Sequence, residues 1–176
     1  MPSQKDAHKG TYYLIEAIDL WIAAHLELKD KATLIVFGNR DSETAPSFKI
    51  DVIFLGTIND DDKLANAYAA ADVFLTTSLE DNLPNTVMES LACGTPVVSF
   101  TTGGIPDMVK HQNNGYLAKY KDAQDFMAGI NWVYHHPEKE KLNEQARETV
   151  IKNFSEEVIA AKHISLYQNL LDGKGI

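Results

Sequence analysis

Four short, continuously apolar, β-rich runs recur along the chain: T-L-I-V-F-G (33–38), V-I-F-L-G (52–56), D-V-F-L-T-T (72–77) and P-V-V-S-F (96–100). They alternate with segments of helical periodicity. A run apolar at every position suits a strand buried on both faces, which is the mark of a parallel sheet sandwiched between helices. Residues 11–28 carry Leu14, Ile15, Ile18, Trp21, Ile22 and Leu26 at helical spacing, with Thr11 as the expected N-cap. Residues 60–70 read as a helix with Asp60, Asp61 and Asp62 in its first turn, where acids suit the dipole. Residues 84–93 read as a helix with Pro84 in its first turn, closed by Gly94. A short helix follows T-T-G-G (101–104), residues 115–118 add a fifth strand, and 122–135, 138–152 and 155–171 are helical. At 176 residues, one domain over 1–176 is expected. The fold class is α/β, a three-layer Rossmann-like parallel sheet flanked by helices.

The chain opens on a polar segment leading into a helix, whereas a doubly wound fold normally opens on a strand. This predicts that a strand and more lie upstream and that the sequence is a fragment. The formal net charge is −9, which argues against a nucleic-acid binder or an anionic-membrane binder. Cys93 is the one cysteine, so a disulfide framework and a cysteine-based zinc site are excluded. No apolar run approaches the roughly 18 residues of a membrane span, and the first ten residues lack the apolar core of a signal peptide. A protein of the reducing cytoplasm is expected.

Ligands of parallel α/β sheets bind at the carboxyl ends of the strands. That directs the search to loops 38–41, 56–59, 77–84 and 101–105. The loop at 77–84 is polar and acidic, and the helix after it presents free N–H groups toward the sheet edge, a ready site for phosphate. Glu89, one to two turns in, could accept two hydrogen bonds from a ribose diol. Glu80 and Asp81 could accept from sugar hydroxyls. Against this, Glu80 and Asp81 read equally as dipole-favoured caps and Glu89 as an exposed helix acid. No Lys or Arg falls between Lys63 and Lys110, so charge for a diphosphate must come from Lys9 or Arg40, each beside a strand–helix connection. Gly103 and Gly104 would permit close backbone approach. Asp60–Asp62, His135, His136 and Cys93 fit structural roles better than metal ligation or nucleophilic chemistry, and no metal is expected.

Taken together, S-L-E-D-N-L-P-N-T-V-M-E-S-L-A-C-G-T-P-V-V-S-F-T-T-G-G-I-P-D-M-V (78–109) resembles the donor-site signature of family 4 glycosyltransferases. These are retaining enzymes of the GT-B fold, with two Rossmann-like domains about a cleft. The resemblance extends to K-G (9–10), L-I-V-F-G (34–38), V-I-F-L-G (52–56), A-Y-A-A-A-D-V-F-L (67–75) and N-N-G-Y-L (113–117), and it concerns the C-terminal, nucleotide-sugar-binding half. The family motif has two glutamates separated by seven residues. Glu89 matches the second, which the resemblance makes a clamp on the donor ribose. The first falls on Asp81, with Glu80 one residue out of register, and either can face the donor sugar. The backbone of Asn82, Leu83, Pro84 and Asn85 matches the loop cradling sugar and phosphate. Lys9 matches the lysine that neutralises the leaving diphosphate, while Ser3 stands where many members carry arginine, a contact left absent or supplied by Lys5. Gly38, Asn39 and Arg40 match a loop near the nucleotide.

The resemblance thus implies the donor half of a retaining glycosyltransferase, binding a nucleotide-diphosphate-sugar and partnered by an N-terminal acceptor domain absent from this sequence. Contact with a membrane would come through that other half. The final helix, 155–171, would cross toward that half and leave apolar residues exposed here. A non-catalytic nucleotide-sugar module and a sugar-nucleotide epimerase of the same fold are the alternatives. A phospho-receiver domain is disfavoured because Asp72 precedes its strand instead of ending it.

Overall fold

The computed structural model describes residues 8–38 and 47–173. Among the described residues five strands and seven α-helices follow in order: α1 (Thr11–Ala24), β1 (Thr33–Phe37), β2 (Asp51–Gly56), α2 (Asp61–Ala69), β3 (Phe74–Thr76), α3 (Asn85–Ala92), β4 (Val97–Phe100), α4 (Ile105–Met108), β5 (Gly115–Ala118), α5 (Ala123–Tyr134), α6 (Lys139–Phe154) and α7 (Glu156–Leu171). The elements read from periodicity are present, except that the helix read over 11–28 ends at Ala24 and a separate 3-10 turn follows at Leu26–Leu28, and every ladder is parallel.

Four other details differ from expectation. Instead of one continuous sheet, β1 pairs with β2, and β3, β4 and β5 form a separate ladder. Strand β2 is half-exposed, with Ile53 and Leu55 50% and 43% accessible, because its alternate side chains point away from the core. Gly10, not Thr11, is the N-cap of α1. It has φ +60°, and a Cβ there would collide with the Thr77 carbonyl oxygen. Pro84 is the N-cap of α3 and not its first helical residue, and no side chain caps that helix.

Strand β4 is the spine of the three layers. It is buried at all four positions, and successive side chains point to opposite faces. Val98 and Phe100 pack under α1 and α5 with Ile18, Trp21, Phe126 and Ile130. Val97 packs on the other face with Val87 and Leu91 of α3, Ala146 and Val150 of α6, and Ile105 and Met108. Full burial of each large apolar side chain contributes about 1.5–3 kcal/mol. Helix α3 ends as its glycine predicts. Gly94 adopts φ +80°, its N–H bonds the Leu91 carbonyl at 2.9 Å, and the Thr95 N–H bonds the Ser90 carbonyl at 3.0 Å, the two bonds of a Schellman motif. The last helix, α7, has no buried residue, and Ile164, Tyr167, Leu170 and Leu171 are exposed, as the resemblance implied.

Candidate functional site

The carboxyl end of β3 is where the sequence candidates converge. The chain before α1 is bound to it through backbone: the Leu79 N–H donates to the His8 carbonyl at 2.9 Å, and Thr77 Oγ1 donates to the Lys9 carbonyl at 2.9 Å. Gly10 packs on the Thr77 carbonyl where no side chain fits. Lys9 is thereby carried to the edge that holds the acidic loop. His8 Nδ1 lies 3.3 Å from Glu80 Oε2, with both side chains mostly exposed.

The loop from Ser78 to Pro84 is fastened from the opposite side as well. Thr102 Oγ1 and the Tyr120 hydroxyl both donate to the Leu79 carbonyl, at 3.1 and 3.3 Å. The Gly104 N–H donates to the Asn82 carbonyl at 2.6 Å. Gly103 has φ +50°, and a Cβ on it would land on the Asp81 carbonyl, while one on Gly104 would meet the Asn82 carbonyl. The close approach that these glycines allow is therefore that of the Asp81–Asn82 backbone. Among the described residues the Asp81 carboxylate has no hydrogen bond or ion pair, and it is only partly exposed.

Helix α3 starts directly after this loop. Its cap residue Pro84 offers no side-chain acceptor, so the first N–H groups, at Asn85 and Thr86, stay open toward the sheet edge. Leu83 and Asn85 are exposed beside them. Glu89 sits further along α3, where the Tyr68 hydroxyl donates to its Oε2 at 2.9 Å. Tyr68 is 2% exposed. Burial, then the bond to Glu89, holds its phenol well above the ordinary tyrosine range. The Phe37 ring meets Tyr68 edge-on at 5.2 Å, which links the end of β1, and Gly38 next to it, to the Glu89 side of the site. Gly38 has φ +108° and open space around it. Asn39 and Arg40, and the upstream positions Ser3 and Lys5, lie outside the described residues.

Sequence reasoning did not single out Tyr68, His8, Thr102 or Tyr120. Tyr68 falls at an apolar helical position in A-Y-A-A-A-D and reads there as core. The other candidates hold structural posts. Asp60 caps α2 by accepting from the Lys63 N–H at 2.9 Å. His135 caps the carboxyl end of α5. Cys93 caps α3, and burial raises its thiol pKa. Among the described residues no group of three or more His, Cys, Asp or Glu is placed to hold a metal ion, and no helix is long and apolar enough to cross a membrane.

Residues 3–136 match the family described as Glycosyl transferases group 1. The chain belongs to that family. It is 29% identical over 121 residues to the N-acetyl-alpha-D-glucosaminyl L-malate synthase of Bacillus anthracis, covering 68% of this chain and 31% of the relative. Among solved structures it superposes with a TM-score of 0.71 on sucrose-phosphate synthase from Thermosynechococcus elongatus, at 26% identity over 95% of this chain and 43% of the other. It also superposes with a TM-score of 0.71 on HepE of Anabaena in complex with UDP and glucose, at 23% identity, covering 93% and 46%. This group 1 chain thus has the parallel α/β fold of GT-B glycosyltransferases, and it spans less than half the length of each of these three relatives.

Proposed function

We propose that this chain is the C-terminal, donor-binding part of a family 4 retaining glycosyltransferase, taking a nucleotide-diphosphate-sugar at the carboxyl edge of β3 and β4. The observation that carries this reading is the hydrogen-bonded convergence of three segments there. They are residues 8–10, the loop 78–84 leading into the uncapped start of α3, and the turn 102–104. In the intact enzyme the bond between the anomeric carbon and the diphosphate oxygen breaks and the sugar passes to an acceptor hydroxyl with retention. Charge grows on the diphosphate. In this reading Lys9 and the open N–H groups of α3 stabilise it. Glu89, aimed by Tyr68, is suited to the ribose diol. Asp81 is the better candidate for the sugar hydroxyls, because Glu80 is turned to His8 while the Asp81 carboxylate is uncommitted among the described residues. The structural neighbour from Anabaena, found with UDP and glucose, supports this class of ligand.

Cationic charge comes here from the protein itself, so donor binding is expected without a divalent ion. Titration calorimetry with UDP-, GDP- and ADP-sugars, with and without EDTA, tests the reading. One of these donors should bind equally well in both conditions. Binding of none of them, or binding only with added metal, would overturn it.

A further inference from the structure

A second concave surface lies away from the donor loops. It measures about 350 Å³ and is walled by the rings of Tyr116, Trp132 and His136, with Gln112 and Asn131 beside them. That size falls within the roughly 300–1,000 Å³ of small-molecule sites. Helix α5 starts at the carboxyl end of β5, where Asp125 accepts from the Lys119 N–H at 2.7 Å, and runs back along the strand. Its last turn and the chain just before β5 therefore meet at the amino edge of the sheet, opposite the ends of β3 and β4. The parts are held by the protein itself. The Tyr116 ring lies over Gly129, where a Cβ would come within 2.7 Å of it, and its hydroxyl donates to Asp125 Oδ1 at 2.9 Å. Buried Asn114 accepts from the Lys110 N–H at 2.7 Å and donates to the Met108 carbonyl at 2.9 Å, which fixes the turn carrying Gln112. Gln112 has φ +58°, a conformation that few side-chain-bearing residues take, and its N–H donates to the Gly115 carbonyl at 2.8 Å.

We infer that this surface binds a neutral pyranose unit of a glycan. Three observations select that occupant. First, its polar groups are set as donors. The His25 Nε2–H donates to Asn131 Oδ1 at 2.8 Å, which leaves the Asn131 amide hydrogens over. His136 Nδ1 accepts from the Glu138 N–H at 3.2 Å, which places its own proton on Nε2. Among the described residues neither these hydrogens nor the Gln112 amide has a partner. A pyranose offers hydroxyl oxygens to such donors around a C–H face that packs on aromatic rings, whose faces are partially negative. Second, among the described residues no Lys, Arg, Asp or Glu lines the surface, so charge complementarity selects a neutral ligand over a phosphate or a sugar acid. Third, Tyr116 and Trp132 meet at 45°, and Trp132 and His136 at 74°. These angled walls suit a chair-shaped ring and lack the parallel faces that grip a planar base. The site does not rest on the donor reading. Occupied, it gives the protein a second hold on a glycan, remote from the edge proposed for the nucleotide.

Nuclear magnetic resonance of the full chain, titrated with the methyl glycosides of glucose, galactose and N-acetylglucosamine, tests it. The chain has two tryptophans, so their indole N–H signals report separately. The Trp132 signal should move saturably with at least one glycoside. The signal of Trp21, 8% exposed, and the amides of residues 80–89 should stay still. Gln112→Gly deletes the side-chain amide at a φ that glycine takes freely, so misfolding does not account for its effect. It should weaken binding by about three- to tenfold, the worth of one neutral hydrogen bond. No saturable movement with any of the three glycosides would overturn the inference. So would a stronger response to uridine, displacement of the glycoside by saturating UDP, or parental affinity in Gln112→Gly. The glycoside titration needs no donor, so its failure is distinct from failure of the proposed function.

Discussion

The Tyr68 hydroxyl, on α2, donates a 2.9 Å hydrogen bond to Glu89 Oε2, on α3. A carboxylate with one oxygen held by a neutral buried donor keeps the other oxygen's direction, so its remaining acceptor capacity is aimed and not averaged. The phenol is clasped in turn between the rings of Phe37 and Phe74, at 5.2 and 5.5 Å. Strand ends from both ladders therefore set the orientation of one carboxylate.

Glu89→Gln should weaken donor binding by about 1.5–3 kcal/mol, the range for a hydrogen bond to a charged group. Tyr68→Phe removes only the aiming bond and should weaken it by about 0.5–1.5 kcal/mol. Because one residue acts through the other, the double variant should bind scarcely worse than Glu89→Gln alone. Calorimetry with ribose and 2′-deoxyribose forms of the nucleoside diphosphate reads the specific role. The preference for ribose should shrink in both variants, and an undiminished preference in Glu89→Gln would remove the ribose assignment.

Alkaline stability should carry the signature of two phenols, Tyr68 buried and Tyr116 half-buried. Burial first, and then the bond to Asp125, pushes Tyr116 up to about 12, and Tyr68 is raised by burial and Glu89. The unfolded chain releases these protons near pH 10, while the folded chain holds them longer. The contribution is complete below about pH 10 and is lost as pH rises from there toward the folded values. Urea unfolding should thus show stability falling above about pH 10, and Tyr116→Phe should flatten the fall between about pH 10 and 12. Identical alkaline slopes in parent and variant would contradict this.

What the sequence made legible follows from what periodicity measures. Burial along one chain segment is local, so Val97–Phe100 and the helix closed by Gly94 were readable residue by residue. Pairing between ladder edges is not local: nothing in T-L-I-V-F or D-V-F-L-T says whether 33–37 and 74–76 are neighbours in one sheet. The alternation in V-I-F-L-G likewise hides its exposed half, because Ile53 and Leu55 are as apolar as the residues facing inward. At the candidate site, residue types and order were readable, but the partners were not. Tyr68 and Glu89 are 21 residues apart, and Tyr120 reaches a carbonyl 41 residues away. Gly103 and Gly104 signalled a close approach without saying that protein backbone makes it.

Asp81→Asn and Glu80→Gln should part company. Glu80 is mostly exposed and paired with His8, a surface pair worth about 0–1 kcal/mol. Its amide should bind nucleotide-sugar and plain nucleoside diphosphate as the parent does. Asp81→Asn should leave the plain diphosphate unchanged and weaken the sugar form, narrowing the gap between them. A competition titration measures both. The opposite pattern would place Glu80 at the sugar.

Alanine at Gly103 should be costly for a reason independent of any ligand. The residue sits at φ +50° with the Asp81 carbonyl in the way of a Cβ. Such backbone strain costs about 1–3 kcal/mol, or roughly 2–12 °C of thermal midpoint for a chain of this size. Gly173→Ala has similar φ, +69°, but open space, and should shift the midpoint less. Equal shifts in scanning calorimetry would show that loop contact adds nothing to the strain.

Lys9 and Gly10 should fail in the same way for different causes. The net charge of −9 opposes any diphosphate, so local positive charge must do more than balance the ligand's two phosphates. No Lys or Arg occurs from residue 64 to 109, which leaves the loop and α3 with N–H groups but no cation of their own. Lys9 is delivered by backbone bonds to Thr77 and by the absence of a side chain at Gly10. Lys9→Ala should therefore weaken nucleoside diphosphate more than nucleoside monophosphate, and the loss should shrink as salt rises, since an exposed charge is screened over about 8–10 Å near physiological ionic strength. Gly10→Ala keeps the charge but pushes the segment off β3. It should reproduce the loss while also lowering the thermal midpoint, which Lys9→Ala leaves in place. Nucleotide titrations at two salt concentrations, run beside calorimetry, separate the two. Undiminished diphosphate preference in Lys9→Ala would show that the α3 N–H groups alone hold the anion.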